Sequence, residues 1–146
     1  MTITLLGGPL PIFKRSIDAY RQSLKMKSYN PSDFPVATTG FFYAADDTKT
    51  ALRELYPYVD QGMKLANGTG YHKRLFANGA DMNDVMLVGS PQQIIEKMIY
   101  QYEELGHQRY LAQIDFGGMP FEKVMKNIEI IGTKILPEVK KYTKGK

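Results

Sequence analysis

The stretch VGSPQQIIEKMIYQYEELG, residues 88–106, contains the signals that start and end a helix. Ser90 is a favourable N-cap residue, Pro91 suits the first helical position, and Gln93 stands where the second member of a capping box belongs. Apolar residues then recur at helical spacing, and Gly106 is a typical C-terminal stop. The stretch therefore predicts one complete helix, and its apolar residues identify the face that is buried.

Apolar runs on both sides of this helix, and earlier in the chain, are typical of strands. TITLL, residues 2–6, and FPVATTGFFYAA, residues 34–45, are rich in β-branched and aromatic residues. RYLAQIDF, residues 109–116, is the third main strand predicted, and VMLV, residues 85–88, is a shorter apolar run. Strands that alternate with helices predict an α/β fold with a parallel sheet. Three main strands are few for a complete domain of this kind.

Amphipathic patterns predict the remaining helices. One covers residues 11–26, and a second begins after Asp46 or Asp47, either of which can cap it. Pro57 should kink or break that second helix, because proline lacks the N–H that a helix interior requires. A last helix opens at Pro120. Its predicted inward face consists of Phe121, Val124, Met125, Ile128, Ile131 and Ile135, with Pro137 near its end.

Residues 67–84 form the longest segment without a periodic pattern. This segment is rich in glycine and asparagine. Connections of this length are uncommon in compact domains and often serve as lids or binding loops. The sequence therefore predicts a lid-like loop here.

The composition is that of an ordinary globular protein. With 146 residues, 43% of them hydrophobic, the chain suits one domain over residues 1–146. The absence of cysteine excludes disulfides, thiolate nucleophiles and zinc–thiolate sites, and it fits a cytoplasmic location. The apolar runs are too short to span a bilayer, so no membrane association is expected.

The net charge of +4 comes partly from the carboxyl-terminal residues 140–146, KKYTKGK. A basic tail of this kind can contact nucleic acid or anionic lipid. No aromatic platform accompanies it, so we interpret it as a frayed terminus and expect no nucleic-acid partner.

Four stretches together carry a resemblance to a known family. LVGSPQQIIEKMIYQYEELGHQRYLAQIDFGG and EKVMKNIEIIGTKILPEVKKY are similar to the closing strand and helices of the bacterial-luciferase-like, flavin-dependent monooxygenases. GGPLPIFKRSIDAYRQSLK and FPVATTGFFYAADDTKTALRELYPYVDQGMK resemble the stretches after the sixth strand and around the seventh strand of that family. Each motif is generic by itself, and their order and spacing make the resemblance specific.

The resemblance implies an incomplete TIM (β/α)8 barrel, made of about the last three βα units. A complete barrel takes roughly 250 residues. The resemblance therefore places the family's flavin-phosphate loop, many of its flavin contacts and its usual dimer interface before Met1. It also implies reduced FMN and molecular oxygen as co-substrates, and an aldehyde, a sulfonate or another small organic molecule as the substrate. Activity would then require a complementary amino-terminal half-barrel chain.

Barrel enzymes place their chemistry at the carboxyl ends of the strands. At these ends Gly7, Gly8 and Gly117 can let a flat flavin ring approach the backbone, or they can simply turn the chain from strand into helix. Phe42 or its neighbour Tyr43 can pack against the ring or in the core.

Other polar residues are weaker candidates. In the predicted lid-like loop, His72, Lys73 and Arg74 form a cationic cluster that can attract an anionic substrate or a flavin phosphate, or can remain a solvated loop. Asp115 can be a site residue or a turn residue. His107 follows a helix end that favours a cation. The turn at residues 117–120 can bind an anion at a helix N-terminus, and no spacing indicates a metal site.

A non-catalytic role is the alternative. A truncated relative can fold, self-associate or bind a partner without turnover. A three-stranded parallel sheet leaves two open edges and an apolar face that is only half covered. We therefore expect a homo-oligomer whenever no complementary chain is present.

Overall fold

A computed structural model describes residues 1–144. Within these residues, four strands alternate with six helices. In chain order they are β1 (Thr2–Leu5), α1 (Leu10–Met26), β2 (Ala37–Ala44), α2 (Thr48–Asn67), α3 (Lys73–Ala77), β3 (Leu87–Gly89), α4 (Pro91–Leu105), β4 (Arg109–Gln113), α5 (Phe121–Ile130) and α6 (Leu136–Thr143).

The four strands form one parallel sheet with β2 in its middle. β1 pairs with β2 from Thr2↔Ala37 to Leu5↔Gly40. β4 pairs with the same part of β2, so β1 and β4 flank β2 on opposite sides. β3 pairs only with the carboxyl-terminal end of β2. The predicted α/β fold with parallel strands is confirmed, and the short run before Gly89 is a fourth strand.

Both faces of β2 are covered near its carboxyl end. Phe41 and Tyr43 point to the face covered by α2, which we call the α2 face, and Phe42 and Ala44 point to the opposite face, which we call the α4 face. The α2-face core contains Phe41, Tyr43, Ala51, Leu55, Val59, Phe76, Met86, Val88, Met119 and Val124. The α4-face core contains Phe42, Ala44, Leu87, Ile94, Ile95 and Ile135. A third cluster joins α1 to α4 through Leu5, Leu10, Ile17, Val36, Val85 and Leu105.

The amino-terminal half of the α2 face is open but mostly polar. Side chains alternate along a strand, so the register places Thr2, Thr4, Thr39, Leu111 and Gln113 together on this part of the sheet. The sequence led us to expect an apolar sheet face that is only half covered; the face is half covered, but its open half is mostly polar. The apolar half of this face is covered by α2 and α3, and the open half carries threonines.

Helix α2 continues through Pro57 from Thr48 to Asn67, so the predicted break does not occur. Pro57 lies on the exposed side of the helix, where solvent can reach the carbonyl that loses its N–H partner. Asp47 is the N-cap residue, and its carboxylate accepts a hydrogen bond of 2.9 Å from the backbone N–H of Thr50.

The predicted capping box of α4 forms only in part. Ser90 Oγ accepts a hydrogen bond of 3.3 Å from the backbone N–H of Gln93, as expected. The Gln93 side chain does not return to Ser90. Its amide donates to the carbonyl of Ala80 at 2.9 Å and its oxygen contacts the hydroxyl of Thr48. The glutamine thus ties α4 to the loop and to α2.

The inward face predicted for the last helix is partly wrong. Phe121, Met125 and Ile128 are 73%, 46% and 45% exposed. Asn127 is buried instead, and its Oδ1 accepts a hydrogen bond of 2.7 Å from the backbone N–H of Ala44. A π-helical turn at Ile131–Ile135 then separates α5 from α6 and shifts the helical phase. Of the predicted face, Val124 and Ile135 are buried and Ile131 packs against the α4-face core.

The loop at residues 67–84 is more ordered than its sequence predicts, since it contains α3 and a 3₁₀ turn at Asn78–Ala80. Lys97 of α4 lies fully buried beneath it and donates to the carbonyls of Gly79 and Met86 at 2.8 and 2.9 Å. Burial lowers the pKa of Lys97 to about 8. These bonds hold the loop against α4 and β3.

The basic segment at residues 140–146 is only partly described. Lys140 to Thr143 belong to α6, and the last two residues lie outside the described part of the chain. Among residues 1–144, no helix has the length and apolar character that crossing a membrane requires.

Candidate functional site

The carboxyl ends of the strands meet beneath an aromatic cluster on the α2 face. Phe41 makes edge contacts with Phe116 and Tyr71, with ring centres 5.1 and 6.0 Å apart. Tyr71 in turn contacts Phe76 at 5.7 Å. We call Phe41, Tyr71, Phe76 and Phe116 the aromatic plug. It joins β2, the loop at residues 67–84 and the segment after β4 into one apolar body that excludes water.

Gly7 and Gly117 allow the chain's own groups to approach the backbone. Both have positive φ, 134° and 62°. A side chain at Gly7 would collide with the hydroxyl of Tyr71, which donates a hydrogen bond of 2.7 Å to the carbonyl of Leu6. A side chain at Gly117 would collide with the backbone carbonyl of Tyr58 in α2. Both glycines therefore serve packing within this chain.

The residues predicted to bind a flavin are not brought together. Phe42 is 2% exposed in the α4-face core, on the opposite side of the sheet from Gly7 and Gly117. The N–H of Gly8 donates to the carboxylate of Asp84 at 2.8 Å. These four residues do not form a flavin site by themselves, and their role in binding a cofactor stays a prediction.

A polar cluster that the sequence did not reveal lies beside the aromatic plug. The hydroxyl of Tyr43 donates to Glu54 Oε2 at 2.7 Å, and Lys123 Nζ donates to the same oxygen at 2.6 Å. Lys123 Nζ also lies 3.3 Å from the Tyr43 hydroxyl and 5.8 Å from the centre of its ring. Tyr43, Glu54 and Lys123, which we call the polar triad, connect β2, α2 and α5.

The polar triad is charged at neutral pH. The hydrogen bond from Lys123 and the one from Tyr43 hold the pKa of Glu54 below its ordinary value. The same carboxylate raises the pKa of Lys123. Burial, with the nearby carboxylate, raises the pKa of Tyr43, so its hydroxyl keeps its proton. The triad thus holds a fixed ammonium at the carboxyl end of β2, while the single proton of the Tyr43 hydroxyl is already donated to Glu54.

The cationic residues of the predicted lid begin α3. His72, Lys73 and Arg74 are exposed, and Lys73 Nζ lies 5.9 Å from the centre of the Tyr56 ring. Tyr71, directly before them, anchors the loop over the end of β1. The structure therefore places the loop beside the strand ends, and its action as a lid stays a prediction.

The remaining candidates belong to neither the polar triad nor the aromatic plug. Asp115 is exposed and does not cap α5, which begins after Pro120 without any side-chain cap. Anion binding at residues 117–120 stays a prediction. Among residues 1–144, no group of three or more His, Asp or Glu side chains is arranged to hold a metal ion.

His107 does not act as a cation at the helix end. It is 7% exposed, and burial lowers its pKa to about 4, so the imidazole is neutral at pH 7. The sequence position favoured a charged histidine there, and the structure overturns that expectation, because the charge would have to be buried.

Comparison with solved structures gives the same fold. The chain is similar to the monooxygenase RslO1 from Streptomyces bottropensis, with 18% identity and a TM-score of 0.69 over 93% of this chain and 40% of that one. It is also similar to the oxygenating constituent of 3,6-diketocamphane monooxygenase, a type II Baeyer–Villiger monooxygenase from the CAM plasmid of Pseudomonas putida solved in complex with FMN. Here the identity is 19% and the TM-score 0.62, over 94% of this chain and 42% of that one.

The chain thus spans about 40% of the length of these structures, and its parallel strands and helices form part of a TIM barrel. At this identity the likeness shows the fold alone. No curated protein sequence matches the chain significantly. The family model for luciferase-like monooxygenases, however, matches residues 1–109, well over half of the sequence. On that match, the chain belongs to the luciferase-like monooxygenase family.

Proposed function

We propose that this chain is the carboxyl-terminal portion of a monooxygenase barrel that uses reduced FMN and molecular oxygen on a small organic substrate. The family match carries the proposal. The likeness to a monooxygenase solved in complex with FMN supports the choice of flavin. We also propose that the enzyme works in the cytoplasm, in keeping with a sequence that has no cysteine.

In such enzymes the flavin performs the oxygen chemistry, and the protein supplies orientation, electrostatics and exclusion of water. Because Gly7, Gly8, Phe42 and Gly117 form no flavin site alone, we assign no step of the flavin reaction to this chain. Its aromatic plug would exclude water from the strand ends. Its polar triad would present the partly exposed Lys123 ammonium, held by Glu54, to groups bound beside β2.

The rest of the barrel would have to come from outside these 146 residues, and the surface of the chain supports this requirement. In residues 1–144, neither β1 nor β4 pairs with any strand other than β2. A closed barrel pairs its last strand with its first. Helix α5, which packs near the carboxyl end of β2, exposes Phe121, Met125 and Ile128 at helical spacing, which we call the α5 stripe. The preceding strands and helices of a barrel would cover both the free edge and the stripe.

A titration of FMN tests the proposal. Oxidised FMN would be titrated with this chain alone, and then with the chain mixed with a second chain that carries the preceding strands of a luciferase-like barrel. We expect flavin fluorescence to fall saturably in the mixture and much less with either chain alone. A variant with Phe121→Ser and Met125→Ser serves as the control, because it should weaken the assembly. Unchanged fluorescence in the mixture and alone would argue against the proposal.

The second candidate is a relative without catalytic activity, which folds and associates with itself or a partner. One observation favours it: the aromatic plug and α2 already fill the strand ends where a cofactor would lie. One result of the FMN titration distinguishes the two candidate functions. Association without any change in flavin fluorescence would select the non-catalytic role.

A further inference from the structure

A cavity lies between α2 and α3. Its volume is about 460 Å³, which falls in the range of about 300–1,000 Å³ that is usual for small-molecule sites. It is lined by Lys49, Leu52, Arg53, Tyr56, Pro57, Lys73, Phe76 and Ala77. Neither the polar triad nor the glycines predicted to bind flavin line it.

The floor of this cavity is apolar and held in place. Tyr56 and Phe76 lie with their ring centres 5.4 Å apart, and Phe76 is buried in the α2-face core. The hydroxyl of Tyr56 donates to the carbonyl of Tyr71 at 3.1 Å, which fixes the ring against the loop. Leu52 packs against the same core. The floor therefore offers a preformed surface to an apolar chain or ring.

The rim of the cavity is cationic. Lys49 and Arg53 lie one helical turn apart on α2, and Lys73 lies above the ring of Tyr56. In residues 1–144, none of these three cations belongs to an ion pair. The nearest acids make their hydrogen bonds elsewhere, since Asp47 caps α2 through Thr50 and Glu54 belongs to the polar triad. The charge of Arg53 only helps to lower the pKa of both carboxyls.

We infer that this cavity binds a small organic carboxylate with an apolar chain or ring. The apolar part would lie on Tyr56 and Phe76, and the carboxylate would lie among Lys49, Arg53 and Lys73. A guanidinium matches a carboxylate with two parallel hydrogen bonds, and the two ammonium groups add charge. An uncharged molecule of the same shape would keep only the apolar contacts. Binding at this site does not require a flavin, although the site shares Phe76 with the aromatic plug and Lys73 with the predicted lid.

Isothermal titration calorimetry with octanoate, in the absence of flavin, tests the inference. We expect saturable binding of one octanoate per chain, and binding of octanol that is about tenfold weaker, because the alcohol lacks the charge. The variant Lys49→Gln/Arg53→Gln/Lys73→Gln should bind octanoate no better than octanol. Ala77→Trp, which fills the cavity from an exposed position, should abolish binding of both.

The matched control is Lys25→Gln/Lys27→Gln/Lys141→Gln. It removes the same charge from exposed positions outside the cavity and should bind octanoate like the parent chain. Circular dichroism would confirm that each variant is folded. Three results would overturn the inference: no saturable octanoate binding by the parent chain, equal affinity for octanol, or an equal loss of affinity in both triple variants.

Discussion

A glycine at the end of a strand can be required by its backbone conformation or by the close approach of another part of the chain. Gly117 and Gly118 differ in this respect. Both have positive φ, 62° and 74°, which L side chains adopt at a cost. At Gly117 a Cβ would meet the backbone carbonyl of Tyr58 in α2, whereas at Gly118 it would meet open space. Only the first position therefore requires the absence of a side chain for packing.

We predict that Gly118→Ala lowers the free energy of unfolding by about 1–2 kcal/mol, from backbone strain alone. Gly117→Ala should lower it by at least twice that amount, because the backbone of α2 must move as well. Urea denaturation followed by circular dichroism measures both. Equal losses in the two variants would show that Gly117 does not hold α2 against the strand end.

His107 makes stability depend on pH. Its pKa is about 4 in the folded chain and about 6.5 in an unfolded one, so the unfolded state binds more protons between these values. Folding stability should therefore fall as the pH drops from 7 to 4.5, by about 2 kcal/mol from this residue. In the His107→Gln variant, folding stability should fall less over this pH range, by the amount that His107 contributes. Identical pH profiles for the parent chain and the variant would contradict the assignment.

At the scale of elements, local signals predicted the alternation of strands and helices well. The main strands, α1 and α4 follow from periodicity, caps and turn residues in the printed sequence. Helix α2 differs, since Pro57 does not interrupt it. A proline in a helix interior removes one backbone hydrogen bond, but the cost depends on whether solvent reaches the orphaned carbonyl. Whether solvent reaches that carbonyl depends on the tertiary structure. The sequence alone therefore overestimated how strongly Pro57 disrupts α2.

Helix α5 shows a second limit of local patterns. Six apolar residues predicted its inward face, yet the π-helical turn at Ile131–Ile135 changes the phase and Asn127 takes an inward position. The hydrogen bond from the N–H of Ala44 to Asn127 spans 83 positions in sequence. The polar triad also joins residues that are far apart in sequence, because Lys123 lies 69 positions from Glu54. No short-range spacing indicates such contacts, so this part of the candidate site could not be predicted.

At the scale of the whole molecule, the uncovered apolar surface differs from the one the sequence suggested. The open half of the sheet carries threonines, while the α5 stripe of Phe121, Met125 and Ile128 is exposed and β4 has a free edge. Free strand edges and exposed apolar helix faces are both typical sites of association. We therefore expect these surfaces to be covered by other parts of a barrel.

Light scattering after size exclusion tests this claim most directly. At tens of micromolar protein, without any partner chain, the account predicts a mass above that of one chain of 16.6 kDa, because the stripes of two copies cover each other. The variant Phe121→Glu/Met125→Glu should return to the single-chain mass, since it places charges in the contact. A parent chain that stays at 16.6 kDa under these conditions would contradict the claim.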